Sequence, residues 1–118
     1  MYGKTKTKAE ERRFLNIQDR GCVPCYLESK LQERDWSPEP CDIHHTDGQD
    51  HLKTYGNCPW HHRGFRKFQF DDVEMVRIFG PSMARHPAKY RARYGSEDSL
   101  LAIQNKMLVK SVEDLARN

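Results

Sequence analysis

The stretch CDIHHTDGQDHLKTYGNCPWHHRG, residues 41–64, carries five of the chain's six histidines and two of its four cysteines. Upstream, RGCVPC supplies Cys22 and Cys25. Cys22 and Cys25 form a Cys-x2-Cys half-site, and Cys58 with His61 forms a second half-site of the same gap, 33 positions further on. Two such pairs suit one tetrahedral zinc ion with three sulfur ligands and one nitrogen ligand. Thiolates select a soft or borderline ion, and each tight turn aims both of its donors at one point. Cys41 is left over, either as a small core residue on a strand or as a replacement ligand.

If zinc takes His61, its neighbour His62 must serve something else. Adjacent helical residues point about 100° apart, so both cannot reach one ion easily. The candidates to join His62 are His44, His45 and His51. His44 and His45 are adjacent on a strand and should face opposite sides. A division of labour follows: one of them holds a divalent ion with His62, and the other faces a substrate as general base. A neutral imidazole, with an ordinary pKa of about 6.5, can take a proton from water at cytosolic pH. The divalent ion would stabilise the charge that builds on a phosphoryl centre and its leaving oxygen.

These residues must be positioned by little apolar material. The chain has 118 residues, of which 36% are hydrophobic and 31% charged. That size predicts one domain, and a thin core gains from a metal staple. Residues 1–8 read as a flexible basic arm and 9–118 as the domain. The sequence lacks a long apolar run and its start lacks an apolar leader region, so a cytoplasmic location is expected, with cysteines reduced or metal-bound. Charge is uneven. Residues 61–94 hold eight Lys/Arg against three acids, a net of +5, the footprint of a phosphate-backbone binder.

The elements follow from the local pattern. A helix is expected from about Lys8 to Asp19, with Phe14, Leu15 and Ile17 on one side and a stop near Gly21. GCVPCYL reads as a tight turn, followed by a polar stretch with room for one helical turn before Trp36. SPEP breaks the chain, CDIHH forms a short strand, and TDGQD leaves it. Residues 53–56 are ambiguous. A helix should begin near Pro59 or Trp60 and carry HHRGFRKF onward. Further helices are expected over Asp71–Phe79, from Pro87 to Gly95, and from a Ser96 cap to Val112 with a break near Val109–Ser111.

Strand, His-His, loop, helix and His, bracketed by a Cys-x2-Cys and a Cys-x2-His knuckle, resemble the HNH (ββα-metal) endonuclease superfamily. More narrowly, RGCVPC, IHHTDG, His51 seven positions before the second knuckle, CPWHHRG and GPSMARHPAKYRARYGSEDSLL are similar to the phage recombination-enhancement (Ref) nucleases, over about residues 8–101. The resemblance implies an α+β fold: a small zinc-stabilised ββα-metal core with flanking helices. It implies His44 and His62 as ligands of a catalytic Mg2+ or Mn2+ ion, and His45 as general base. Where the superfamily commonly has Asn beside the base, Asn57 abuts Cys58, so His51 is assigned to orient His45. Zinc at Cys22, Cys25, Cys58 and His61 would be structural. Arg63, Arg66 and Lys67 are expected on the helix of His62, facing DNA phosphates, with Arg85, Lys89, Arg91 and Arg93 as a second patch.

The expected activity is metal-dependent hydrolysis of DNA phosphodiester bonds, nicking one strand per event, with low sequence specificity. The resemblance adds dependence on a RecA-type recombinase filament. Two other classes fit the knuckles: a zinc-stabilised DNA-binding module without chemistry, and an adaptor whose histidines bind a second zinc. The nuclease reading is the stronger because it gives a task to the unused His62 and to the adjacent pair His44–His45.

Overall fold

Thr7 and Glu10 close a capping box at the start of the first helix, the Thr7 hydroxyl accepting from the Glu10 amide at 3.1 Å and the Glu10 carboxylate from the Thr7 amide at 2.7 Å. The computed structural model describes residues 6–117, and in it this helix, α1, runs Lys8–Arg20. It stops at Gly21, whose φ of 82° and tight approach to the Glu39 backbone exclude a β-carbon. Lys8 is already helical, Lys6 lies 5.1 Å from the centre of the Phe14 ring, and residues 1–5 fall outside the described residues. The apolar stripe is also narrower than expected: Ile17 is buried, but Leu15 is 67% exposed.

The Cys-x2-Cys turn proves to be a helix start. In α2 (Val23–Leu31), Cys22 is the N-cap, its sulfur accepts from the Cys25 amide at 3.4 Å, and Pro24 sits in the first turn. Proline preset for a first turn and a capped amide allow nine helical residues where the sequence suggested a single turn. The second knuckle repeats the device. Cys58 caps α3 (Pro59–Arg63) and accepts from the His61 amide at 3.4 Å, with Pro59 in the first position.

Two strands form an antiparallel hairpin, β1 (Asp42–His45) and β2 (Thr54–Asn57). The register pairs Asp42 with Asn57, Ile43 with Gly56, His44 with Tyr55 and His45 with Thr54. The ambiguous residues 53–56 thus resolve as mostly β2, whose four residues are all buried because α1, α2 and α6 pack against it. Gly56 permits that closeness: a β-carbon there would meet the Gly21 carbonyl oxygen at 2.4 Å.

α3 is shorter than the sequence suggests. Gly64 takes the left-handed region, φ 75° and ψ 25°, and its amide returns to the Pro59 and Trp60 carbonyls. HHRGFRKF is therefore split. Arg63 ends the helix, whereas Arg66 and Lys67 lie in the loop beyond it. The rest of the chain is helical: α4 (Asp72–Phe79), α5 (Pro87–Tyr94), α6 (Glu97–Leu108) and α7 (Val112–Ala116). Ser96 caps α6 and Ser111 caps α7, so the expected break near residues 109–111 is present.

The core comes in two parts. Val23, Tyr55, Tyr90, Tyr94, Leu100, Met107 and Leu115 pack around one face of the hairpin. Cys22, Cys58, Trp60 and Met75 form the other, so the sulfur donors are themselves core. A buried carboxylate ties α2 to α5: Glu28, 1% exposed, accepts from Arg93 Nε at 2.7 Å and Tyr94 Oη at 2.6 Å.

Candidate functional site

Both knuckles converge on one point. Sγ of Cys22, Cys25 and Cys58 lie 3.5, 3.5 and 3.2 Å from His61 Nδ1, and the sulfurs of Cys25 and Cys58 are 3.8 Å apart. All four donor atoms fall within 4.8 Å of one another. Zinc bonded at about 2.3 Å to sulfur and about 2.0 Å to nitrogen spaces tetrahedral donors by about 3.5–3.8 Å, so these residues fit that ion. The imidazole is held from behind. His61 Nε2–H donates to the Phe79 carbonyl at 2.6 Å, which leaves Nδ1 free of its proton to face the sulfurs.

The electrostatics point the same way. Burial alone would push the His61 imidazole down, yet hydrogen bonds and charge from Cys25 and Cys58 overcome it and hold it at about 10. Hydrogen bonds from Cys22 and Cys25 hold the Cys58 thiol well below the usual range. Burial pushes Cys22 well above it. Three sulfurs and one ring nitrogen face one point, and a dication there would take the place of the protons these donors otherwise share. Cys41 does not join this group. It packs beside it, with Sγ 3.9 Å from the Ile17 carbonyl oxygen, and burial pushes its thiol up to about 12. Of its two sequence readings, the small core residue is the one realised.

On the exposed side of the hairpin the structure brings together His44 and His62. His44 Nδ1 lies 3.3 Å from His62 Nε2, and the ring centroids are 5.1 Å apart. Each ring is backed by a carboxylate at its other nitrogen: Glu97 Oε1 lies 2.7 Å from His44 Nε2, and Asp42 Oδ2 lies 3.0 Å from His62 Nδ1. A carboxylate on the outer nitrogen fixes the tautomer that leaves the inner nitrogen unprotonated. At 3.3 Å the two inner nitrogens are close enough for a proton or an ion between them to join them. The sequence reading missed both carboxylates. Asp42 stands two residues before His44 and so shares its face of β1, a signal that strand alternation offers. Glu97 is 53 positions from His44 and carried no signal beyond a first-turn acid.

His45 faces the other way, as alternation requires, and meets His51. Its Nε2 lies 3.1 Å from His51 Nδ1. The Phe14 ring stands edge-on to both imidazoles, at 6.0 and 5.5 Å between centroids. Burial, then the neighbouring charges of His51 and His44, lower the His45 pKa below the ordinary histidine value. That direction favours the neutral imidazole. The four histidines thus form two pairs on opposite sides of β1, His44 with His62 and His45 with His51. Asn57, opposite Asp42 in the register, is fully buried.

The cations are more committed than their sequence suggests. Arg63 Nε bonds Asp42 at 2.8 Å while its guanidinium lies 4.5 Å from the centre of the Phe65 ring. Lys67 pairs with Glu39 at 2.9 Å, and Arg93 is held by Glu28. Arg66 is exposed, with no ion pair among the described residues. No helix among the described residues is long and apolar enough to cross a membrane.

Fold and site together define a small α+β protein built on a two-stranded hairpin and a three-cysteine, one-histidine group that could hold zinc. A family model described as recombination enhancement, RecA-dependent nuclease, matches residues 7–109, and the chain belongs to that family. No curated protein and no solved structure gives a significant match.

Proposed function

We propose that this protein is a metal-dependent DNA endonuclease of the HNH type, acting in recombination in concert with a RecA-type filament. The observation that carries this reading is the facing of His44 and His62 at 3.3 Å, each ring backed by its own carboxylate. That arrangement suits a Mg2+ or Mn2+ ion, which when bound would stabilise negative charge on the phosphate and the departing 3′ oxygen. Asp42 and Glu97 are positioning residues that keep the inner nitrogens of His62 and His44 unprotonated. His45 serves as general base. With Nε2–H donated to His51 Nδ1, its own Nδ1 is left to take the proton of the attacking water. His51 fixes the plane of that ring.

The structural ion belongs to the other centre. Held by Cys22, Cys25, Cys58 and His61, zinc would lock α2 and α3 together under the hairpin. Arg66 and the outward side of Arg63 are the cations placed for DNA phosphates, with Lys67 available on release from Glu39. The test is nicking of supercoiled plasmid and of single-stranded circles with Mg2+ or Mn2+, with and without a RecA filament. Wild type should cleave, and His45→Ala should lose cleavage while keeping its zinc and its melting temperature. Undiminished cleavage by that variant would remove His45 from the chemistry. Silence of the wild type in every condition would favour a zinc-stabilised binding module.

A further inference from the structure

The loop joining α3 to α4, residues 64–71, belongs to neither ligand cluster. It is anchored at both ends. Arg85 Nε donates to the Gly64 carbonyl at 2.8 Å, and Phe70 packs toward Phe79 with centroids 6.5 Å apart. Its middle is tied by the Lys67 amide, 3.3 Å from Met75 Sδ. Between these anchors two aromatic rings stand in water, Phe65 at 56% exposure and Phe68 at 77%.

Phe68 and Gln69 adopt φ values of 55° and 60°, the left-handed region that side-chain-bearing residues seldom occupy. Two adjacent strained residues thus hold an apolar ring outward, against both backbone preference and the hydrophobic effect. Phe68 keeps one edge contact inside the domain, with Phe70 at 5.8 Å between centroids, and leaves the rest of its ring to solvent. The rings are interleaved with positive charge: Arg63 lies over Phe65, and Arg66 is exposed between the two phenylalanines in the chain. The loop also begins two residues after His62, and Phe65 reaches that edge through Arg63, which lies over its ring and bonds Asp42 beside His62.

Aromatic faces alternating with guanidinium groups match a chain of alternating bases and phosphates. An apolar protein face would call instead for a closed hydrophobic groove without charges between the rings. In a duplex the base faces are already stacked on each other, so an outward phenylalanine finds a partner only on an unpaired base. We infer that Phe65, Arg66 and Phe68 form a stacking platform for unpaired bases, and that single-stranded DNA is the form this protein engages beside its reactive edge. The inference rests on the nuclease reading above for the role of that edge.

Binding tests it independently of cleavage. Fluorescence anisotropy of the zinc-loaded full chain, without added Mg2+ or Mn2+, would compare an oligothymidylate with a duplex of equal length. Phe68→Ala should weaken single-strand binding about tenfold, and the Phe65→Ala/Phe68→Ala pair about a hundredfold, from the usual worth of base stacking. Duplex binding should change less than about twofold, since stacking adds nothing there. Phe68→Trp, which keeps a stacking face, should match or exceed wild type. Both rings are surface groups, and melting curves check that the variants stay folded. Equal losses on both DNA forms, no loss on either, or a wild type indifferent to strandedness would overturn the inference. So would unchanged oligothymidylate affinity with lost capture of a RecA filament, which would make the loop a protein-docking surface. The nuclease reading fails separately, if His45→Ala or His62→Ala cleaves normally whatever the Phe68 variants do.

Discussion

His61 and His62 are neighbours in the chain but occupy opposite kinds of surroundings. His61 is fully buried among three sulfurs, its far nitrogen locked on a backbone carbonyl. His62 is half-buried, and its partners are side chains from β1. The first group draws its four donors from two local turns of identical design, each a helix capped by cysteine sulfur. The second draws on β1, α3 and α6, with its supporting carboxylates partly open to water. A site that must never let go is built locally and sealed. A site suited to exchanging an ion or substrate is assembled from distant elements and left accessible.

That contrast sets the order of expected effects. The largest should follow loss of a sealed ligand. Cys58→Ser, or prolonged chelation, should abolish zinc content and unfold the domain, because structural zinc contributes on the order of 10 kcal/mol where whole domains are stable by about 5–15 kcal/mol. Metal analysis with a circular-dichroism melt reads both. A folded Cys58→Ser protein would show that the core stands without the ion and erase the contrast.

At the open site the fold should survive while chemistry is lost. His62→Ala or His45→Ala should lower cleavage by about 10²–10⁴-fold, the usual worth of an acid–base or ligand group, with zinc stoichiometry and melting unchanged. Glu28→Ala is the intermediate case, since that buried carboxylate ties α2 to α5. It should cost about 3–5 kcal/mol in urea melts by leaving buried partners unsatisfied. Burial would raise the Glu28 pKa, but hydrogen bonds from Arg93, Gln32 and Tyr94 prevail and hold it at about 2. Its folded value is therefore depressed. The stability it provides is present above the ordinary carboxylate range and should fade as pH falls from about 4.5 toward 2.

Removing a supporting carboxylate should cost less. Glu97→Gln should raise the Mg2+ or Mn2+ concentration needed for half-maximal cleavage by about 10–100-fold and leave zinc untouched. The smallest effect is one of pH. Because the His45 pKa lies below the ordinary value, kcat/KM should be level through neutrality and fall only on acidification below about 6.5. A decline that begins above pH 7 would point to a base other than His45.

The same contrast governs what could be read from the chain beforehand. Matched two-residue gaps disclosed the zinc-type donors, since local turns put the geometry into the spacing. Strand alternation and helical angle separated His44 from His45 and His61 from His62, because those periodicities are fixed by the backbone. Glu97 stayed hidden because its role arises from how α6 docks on the hairpin, a tertiary fact with no local pattern. The end of α3 differs for another reason: HHRGFRKF reads as one helix, whereas the left-handed φ of 75° at Gly64 makes it a terminus. Residues 53–56 had no clear period because β2 is buried on all sides, so no polar alternation marks it.

α3 itself holds a last consequence. A helix of five residues spans about 7.5 Å and lies far below the length at which helices persist on their own propensity. Its single turn owes its existence to the fastening of Cys58 and His61 at one end and to Gly64 at the other. The direction of the His62 ring is therefore a quantity set by coordination chemistry one residue away. In a population of molecules, the fraction whose two inner imidazole nitrogens face each other should track the fraction whose four sealed donors are drawn together. The dependence runs one way: loss of the sealed centre carries the open one with it, whereas the open one can be altered alone.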